Sequence, residues 1–310
     1  MNSLDPGALG TPAPTVPFVD AGARARFSDY VELTKPRLSL LSVLTALVGY
    51  LAASPARAGW TLVPLLSGTA ACAGGVAALN QWLEADTDAR MSRTRDRPIP
   101  SGRVCTGSAF VLGWGLCAGG LGVLFAEVNG LSAACALATV VWYLAVYTPA
   151  KRWSRWSTEI GAIAGALPPL IGWTAAEGRV SPLGAILFAL LFFWQVPHFM
   201  AISWIYRRDY AVVGFPMLPV RDAGGGKVAA WSFICCTVLI GVSLLPVLLG
   251  FSHLAYGVAA GGLGFWFAWR AAAFLRPIGR ETAARQLFLT SIIYLPLLLA
   301  ALVIDRIALR

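Results

Sequence analysis

The feature that most constrains this chain is a series of long apolar runs between residues 38 and 304. Runs of about 17–25 residues match the length that a helix needs to cross the hydrocarbon core of a bilayer. Only 13% of the residues are charged. We therefore predict an all-α, polytopic membrane protein with about nine transmembrane helices. The predicted spans are 38–54, 60–83, 107–126, 131–149, 159–176, 182–205, 229–249, 252–275 and 284–304.

The positive charge, a formal net of +9, is distributed in a way typical of membrane proteins rather than of nucleic-acid-binding proteins. If the N-terminus is cytoplasmic, 20 of the 24 Lys and Arg residues fall in cytoplasmic segments, which is the positive-inside pattern. We predict a multi-pass protein of the cell inner membrane, surrounded by lipid, with a cytoplasmic N-terminus and an external C-terminus. Residues 1–27, rich in Pro, Ala and Gly, are predicted to be a disordered cytoplasmic tail, and residues 28–310 the membrane domain.

Candidate metal ligands lie in the stretch NQWLEADTDARMSRTRDRPIPSGR, residues 80–103, between two apolar runs. Asn80, Glu84 and Asp88, here called the ladder, are four residues apart and would share one stripe of a continuous helix. Their oxygen atoms suit Mg²⁺, which readily shares its coordination with substrate phosphates. Polar residues within an apolar span are costly and usually functional. The ladder therefore predicts a magnesium site.

Basic residues predict a diphosphate site next to this metal. Arg side chains bind phosphate oxygens in bidentate fashion, and several arginines follow the ladder directly. Further basic residues precede the first span, in TKPR, and follow the fourth, in YTPAKR. Charge at these borders is also what topology alone would produce. The predicted diphosphate ligands are Lys35, Arg93, Arg97, Lys151 and Arg152.

A second polar group ends the sixth span. His198, one of two histidines, lies within an apolar run, and Asp209 follows eleven residues later, close to three helical turns. We predict that both share one face, oppose the ladder and act in catalysis, with Asp209 also a metal ligand. The alternative for His198 is a structural hydrogen bond. Tyr147 is predicted to line a pocket that stabilises a cation through its ring. His253 is interpreted as an ordinary helix-start residue.

Four segments are recognisable together: residues 80–103, YTPAKR, GALPPLIGW and QVPHFMAISWIYRRDYAVVGFPMLP. They resemble the haem farnesyltransferase branch of the intramembrane aromatic prenyltransferases, over about residues 30–305. The resemblance implies nine helices around a lipid-accessible cavity and a Mg²⁺-dependent reaction. In that reaction, farnesyl diphosphate, haem B and water give haem O and diphosphate. His198 stands where the wider superfamily usually has aspartate, and Ile205 replaces another acid.

The resemblance also implies that aromatic faces, namely Tyr147, Trp82 and Trp204, stabilise an allylic cation. His198 would then ligate the haem iron, bind a propionate or position water. The product implies haem A synthase and oxidase assembly factors as partners. Two alternatives stay open: a prenyltransferase for a quinone or chlorophyll precursor, and a non-catalytic haem-binding assembly factor. A secondary transporter is disfavoured because the outer half of the membrane carries almost no charge.

Overall fold

The computed structural model describes residues 25–53 and 59–308, and every regular element within them is helical. Most of the predicted tail, residues 1–24, lies outside the described residues. The elements are α1 (Phe27–Leu33), α2 (Pro36–Ala52), α3 (Leu62–Leu83), α4 (Ala85–Asp88), α5 (Thr106–Glu127), α6 (Gly130–Val141), a π-helical turn (Trp142–Tyr147), α7 (Thr148–Trp153), α8 (Ser157–Ala166), α9 (Pro168–Glu177), α10 (Pro182–Ile205), α11 (Arg207–Val212), α12 (Leu218–Arg221), α13 (Gly226–Leu248), α14 (Leu254–Leu275) and α15 (Arg280–Ala308).

Seven helical stretches in the described chain are long and apolar enough to cross a membrane. They comprise α3, α5, the continuous stretch Gly130–Trp153, α10, α13, α14 and α15. Helix α2 is apolar but has only 17 residues. The fifth predicted span is divided into α8 and α9, because Pro168 has no backbone N–H to continue the hydrogen-bond ladder. The all-α membrane fold is confirmed, whereas the count of nine spans stays a prediction.

The helices pack around two main apolar cores. In the first, α3 packs on α5 and α2 on α9, around buried residues such as Leu79, Cys117 and Leu124. In the second, α10 packs on α13 and α15, around residues such as Leu187 and Tyr294. The cysteines in the apolar runs are free thiols, and most of them are buried as small packing residues.

Helices α2 and α9 touch backbone to backbone. A Cβ atom added to Gly172 would lie 1.7 Å from the carbonyl oxygen of Ala46, and one added to Gly49 would lie 1.9 Å from that of Pro169. Small residues at helix crossings in membranes permit this approach, which maximises van der Waals contact. The contact fixes α9 against α2, and both helices contribute to the cavity described below.

We expect Gly172→Ala to destabilise the protein, because the new methyl group would have to push the α2 backbone away. Overpacking of this kind costs about 1–3 kcal/mol. The matched control is Gly119→Ala on α5, where an added Cβ meets no atom within 4 Å. Thermal unfolding of both variants in detergent should show a lower midpoint for Gly172→Ala only. An unchanged midpoint for Gly172→Ala would show that the crossing has room to spread.

Candidate active site

The ladder is buried at the junction between α3 and α4. Asn80, Glu84 and Asp88 are 2%, 6% and 1% exposed. However, α3 ends at Leu83, and Glu84 is its C-cap residue with φ −103° and ψ 8°. The prediction of one continuous helical stripe is therefore wrong. The Ala85–Asp88 segment contains residues that favour caps and turns over helix interiors, and Thr87 donates its hydroxyl to the carbonyl of Glu84 at 2.9 Å.

Each ladder residue accepts a hydrogen bond from a basic side chain that was itself predicted to bind diphosphate. The three pairs are Lys35 Nζ–Asn80 Oδ1 at 3.1 Å, Lys151 Nζ–Glu84 Oε1 at 2.7 Å and Arg97 Nη1–Asp88 Oδ2 at 2.6 Å. Buried carboxylates are tolerated when they are paired and hydrogen-bonded in this way. The structure thus brings together six of the predicted site residues.

The pairs form one electrostatic cluster. Burial, together with the neighbouring cations Arg97 and Lys151, lowers the pKa of Lys35 to about 7. Burial by itself would raise the pKa of Glu84, but the ammonium group of Lys151 outweighs it and holds that pKa below its ordinary value. A carboxylate kept ionised beside several cations is a suitable place for a divalent cation and a polyanion to bind together.

Lys35 is held in a strained backbone conformation. Among the described residues, it is the one non-glycine residue with positive φ, at φ 46° and ψ 62°. Such residues cluster at functional sites, where the surrounding structure keeps them in place. Here the conformation precedes Pro36 at the start of α2, and the Lys35 side chain reaches Asn80 on α3.

An apolar cavity of about 160 Å³ lies inside the bundle, and Lys35, which bonds Asn80 of the ladder, lines it. On α3 its wall runs from Thr69 to Ala77, about 12 Å along the helix axis, and Asn80 lies one turn beyond. Leu38 also lines the cavity and is 62% exposed. The remaining lining residues are mainly small or apolar: Ser39, Ser42, Cys72, Ala73, Val76, Ala136, Thr139, Val140, Tyr143, Ala164, Gly165, Pro168 and Ile171, with Lys35 at the polar end.

The π-helical turn Trp142–Tyr147 places two tyrosines near the cluster. The Lys151 ammonium lies 4.6 Å from the centroid of the Tyr147 ring, so this ring already faces a cation. Tyr143 packs edge-on against Tyr147 and lines the cavity. Thr148, which follows the turn, accepts a hydrogen bond from the Asn80 amide at 3.3 Å. Sequence reasoning missed the roles of Tyr143 and Thr148, because a π-turn leaves no clear periodic signal, although such turns occur frequently at functional sites.

Three other predicted residues lie at the edge of this cluster. Arg93 stacks on the Tyr206 ring at 5.4 Å, and Asp209 accepts a hydrogen bond from Ser92 at 3.1 Å. Both contacts join the segment after α4 to the start of α11. Arg152 binds Asp86, which is outside the ladder, at 2.8 Å. In this state the three side chains are engaged with partners other than the ladder.

His198 lies elsewhere. Its Nδ1 is 2.7 Å from the Ser291 hydroxyl on α15, and it does not belong to the residues that line the cavity. The shared face predicted for His198 and Asp209 is wrong, because α10 ends at Ile205 and Tyr206 has the non-helical angles φ −100° and ψ 17°. The eleven-residue spacing therefore does not follow one helix.

Two of the three aromatic residues predicted to stabilise a cation pack away from the cavity. Trp82 faces Phe110 on α5 at 5.0 Å, and Trp204 faces Phe274 on α14 at 6.4 Å. Tyr147 is the predicted aromatic residue that the structure places in the cluster.

The donor set fits Mg²⁺ in chemical type. The ladder offers one amide and two carboxylate side chains, and hard oxygen donors are what Mg²⁺ prefers. Within residues 25–53 and 59–308, no group of three or more His, Cys, Asp or Glu side chains is arranged to hold a metal. The ladder oxygens would therefore need further ligands, such as phosphate oxygens of a substrate.

The fold and the site together define an integral membrane protein. Its apolar cavity lies next to a buried cluster of cations and oxygen donors, and Lys35 belongs to both. The family model for the UbiA prenyltransferase family matches residues 42–292. The chain belongs to the UbiA prenyltransferase family, and it is a membrane prenyltransferase.

Curated relatives and solved structures agree with this family. A protein of Opitutus terrae named protoheme IX farnesyltransferase is 63% identical over 284 residues, which cover 92% of this chain and 96% of the relative. One of the same name from Solibacter usitatus is 42% identical, with 90% and 98% covered. A digeranylgeranylglyceryl phosphate synthase structure has a TM-score of 0.77 at 17% identity, covering 91% of this chain and 98% of its own. A UbiA homologue from Archaeoglobus fulgidus bound to DMAPP and Mg²⁺ has a TM-score of 0.67 at 15% identity, with 88% and 99% covered.

Proposed function

We propose that this protein is a protohaem IX farnesyltransferase, which converts farnesyl diphosphate, haem B and water into haem O and diphosphate. The observation that carries the proposal is the 63% identity to a relative of that name over 92% of the chain. The geometry supports it. The apolar cavity suits an isoprenoid tail, and the neighbouring paired cations and carboxylates suit a diphosphate head.

The basic residues would bind the head group. Lys35, Lys151 and Arg97 each hold a ladder oxygen in the structure, and we infer that they turn to the phosphate oxygens when the substrate arrives. Lys35 would then gain a proton more readily, because a polyanion favours its charged form. Arg93 and Arg152 would have to leave Tyr206 and Asp86 to join them.

Asn80, Glu84 and Asp88 would hold Mg²⁺, with Asp209 as an additional predicted ligand. When bound, Mg²⁺ supplies charge neutralisation for the leaving diphosphate. Asp209 now bonds Ser92 and would have to release it. The neighbouring Asp86 is 56% exposed at its side chain and pairs with Arg152, so we assign it no metal role.

The reaction begins as the carbon–oxygen bond of the allylic diphosphate breaks and the electron pair leaves with the diphosphate. Lys151, Lys35 and Arg97 stabilise that developing negative charge. The Tyr147 ring, which faces the Lys151 ammonium in the structure, would stabilise the allylic cation once Lys151 has turned to the diphosphate. The π electrons of a haem vinyl group then form the new carbon–carbon bond. Water adds to the resulting cation and releases one proton. Positioning of this water by His198 stays a prediction, as the alternative to its binding the haem, and so does a catalytic role for Asp209.

The exposed Leu38 at the cavity supports entry of the apolar tail from the lipid. We infer an inner-membrane location with the ladder end in the cytoplasm, because the charge asymmetry of the loops favours it. Reporter fusions to residues 85–105 should read as cytoplasmic, and an external reading would reverse the assignment. Haem A synthase and oxidase assembly factors stay predicted partners, because the product must be passed on.

The proposal is tested with purified protein supplied with haem B, farnesyl diphosphate and Mg²⁺. Mass spectrometry of the extracted haem should show addition of one farnesyl group and one hydroxyl group. In a parallel reaction a phenolic quinone precursor replaces haem. Prenylation of the phenol with haem left untouched would assign the chain to a different acceptor, and haem binding without any product would make it a non-catalytic haem-binding protein.

The same assay tests the ladder. Glu84→Gln and Asp88→Asn keep the side-chain shapes but remove the charges, so we expect haem O formation to fall by at least about 10²-fold. Asp96→Asn is the matched control, since this acid lies eight residues after Asp88 and its side chain is exposed. Near-normal rates in both ladder variants, with the protein still in the membrane, would remove the ladder from the mechanism.

A further inference from the structure

The ring of His198 is held firmly on α10. It stacks on Trp194 with centroids 4.8 Å apart and an angle of 26° between the planes, and the Phe288 ring of α15 lies 5.0 Å away. The Trp194 indole N–H is itself fixed, since it donates to the backbone carbonyl of Ser291 at 2.8 Å. The orientation of the imidazole is therefore set by its neighbours before any ligand binds.

Ser291 determines which ring nitrogen carries the proton. Its hydroxyl lies 2.5 Å from the carbonyl oxygen of Phe288 and 2.7 Å from His198 Nδ1. A carbonyl can only accept, so the single hydroxyl proton of Ser291 goes to Phe288. With the hydroxyl proton on the Phe288 side, the serine oxygen is the acceptor for His198 Nδ1–H, and we assign this tautomer on that contact. This leaves the lone pair of the imidazole on Nε2.

Nε2 is also available to a ligand. Within the described ranges, His198 forms its hydrogen bond through Nδ1 alone, and Nε2 does not belong to the fully buried polar atoms that lack a partner. The ring is therefore anchored at Nδ1, while the described residues give Nε2 no hydrogen-bond partner. His198 lies seven residues before the end of α10 at Ile205, which is about 10 Å along the helix axis from that end.

We propose that His198 Nε2 is an axial ligand of the haem iron, and that Ser291 is the positioning residue that prepares it. The inference rests on the proposed function, because haem is the substrate there. In metal-binding histidines the second nitrogen commonly donates to an acceptor, which fixes the tautomer and raises the basicity of the ligand. The iron accepts the Nε2 lone pair and no electron is transferred.

This bond would orient the vinyl acceptor, which side chains cannot easily bind. A vinyl group has no acidic proton and no charge to which a side chain could bind. An iron–imidazole bond fixes the centre of the flat macrocycle, and the packed Trp194 and Phe288 rings fix the direction of that bond. The vinyl group is then oriented through the metal rather than through its own contacts.

The first test uses the full chain, purified in detergent with a tag that contains no histidine, and titrated with ferric haem. Absorption and electron paramagnetic resonance spectra should show imidazole ligation, and His198→Ala should lose it. The chain has only two histidines, so His253→Ala is the matched control and should keep the wild-type spectrum. Added imidazole should restore the ligation signature in His198→Gly, which confirms that this variant is folded.

The second test addresses Ser291. Ser291→Ala should weaken haem binding roughly tenfold, the lower end of what loss of such a supporting acceptor costs, and Ser291→Thr should restore it. Ser232→Ala is the control, because Ser232 is equally buried and, among the described residues, its hydroxyl donates within its own helix to the carbonyl of Val228. Equal haem affinity in wild type and Ser291→Ala would remove the serine from this role.

The outcomes separate this inference from the proposed function. If the protein makes haem O while His198→Ala keeps the wild-type haem spectrum, the ligand assignment is wrong and the proposed function stands. If haem binds through His198 but is never farnesylated, the ligand assignment stands and the proposed function fails. A wild-type spectrum without imidazole ligation overturns the assignment directly.

Discussion

The site depends on the pairing of three basic side chains with the oxygens of the ladder. An ionised carboxylate that loses its partner in a buried place destabilises a protein by several kcal/mol, and Glu84 and Asp88 are almost fully buried. Lys151 and Arg97 therefore hold the site together. In the proposed mechanism these cations move to the diphosphate while the carboxylates take up the metal, so that no buried charge is left alone in either state.

The rest of the bundle supports this exchange of partners by holding the basic side chains and the ladder in position. Helix α2 carries Lys35 on a strained backbone and is held against α9 by the glycine contact. The segment between α4 and α5 is anchored near its C-terminal end, where Arg103 binds Asp29 and Glu32 of α1. A frame held by these contacts keeps the cavity in place while, in the proposed mechanism, the head-group ligands change partners.

The sequence predicted the parts of the fold that follow from simple periodicity and length. Each apolar run overlaps helical structure, and the ladder, Lys35, Arg97 and Lys151 meet in one cluster. The errors occurred where a helix ends. The four-residue and eleven-residue spacings assume unbroken helices, but Glu84 and Tyr206 leave the helical conformation. The direction of His198 towards Ser291 and the inward position of Tyr143 depend on tertiary packing, which spacing along one chain does not encode.

The central claim is that metal and diphosphate bind together, because the ladder oxygens are occupied by cations until the diphosphate draws those cations away. Binding of Mn²⁺, measured by electron paramagnetic resonance on the purified protein, tests it in place of Mg²⁺. The account predicts weak binding of Mn²⁺ alone and binding roughly tenfold or more tighter with a non-reactive farnesyl diphosphate analogue, with the reciprocal effect of Mn²⁺ on the analogue. Equally tight Mn²⁺ binding with and without the analogue would contradict the account.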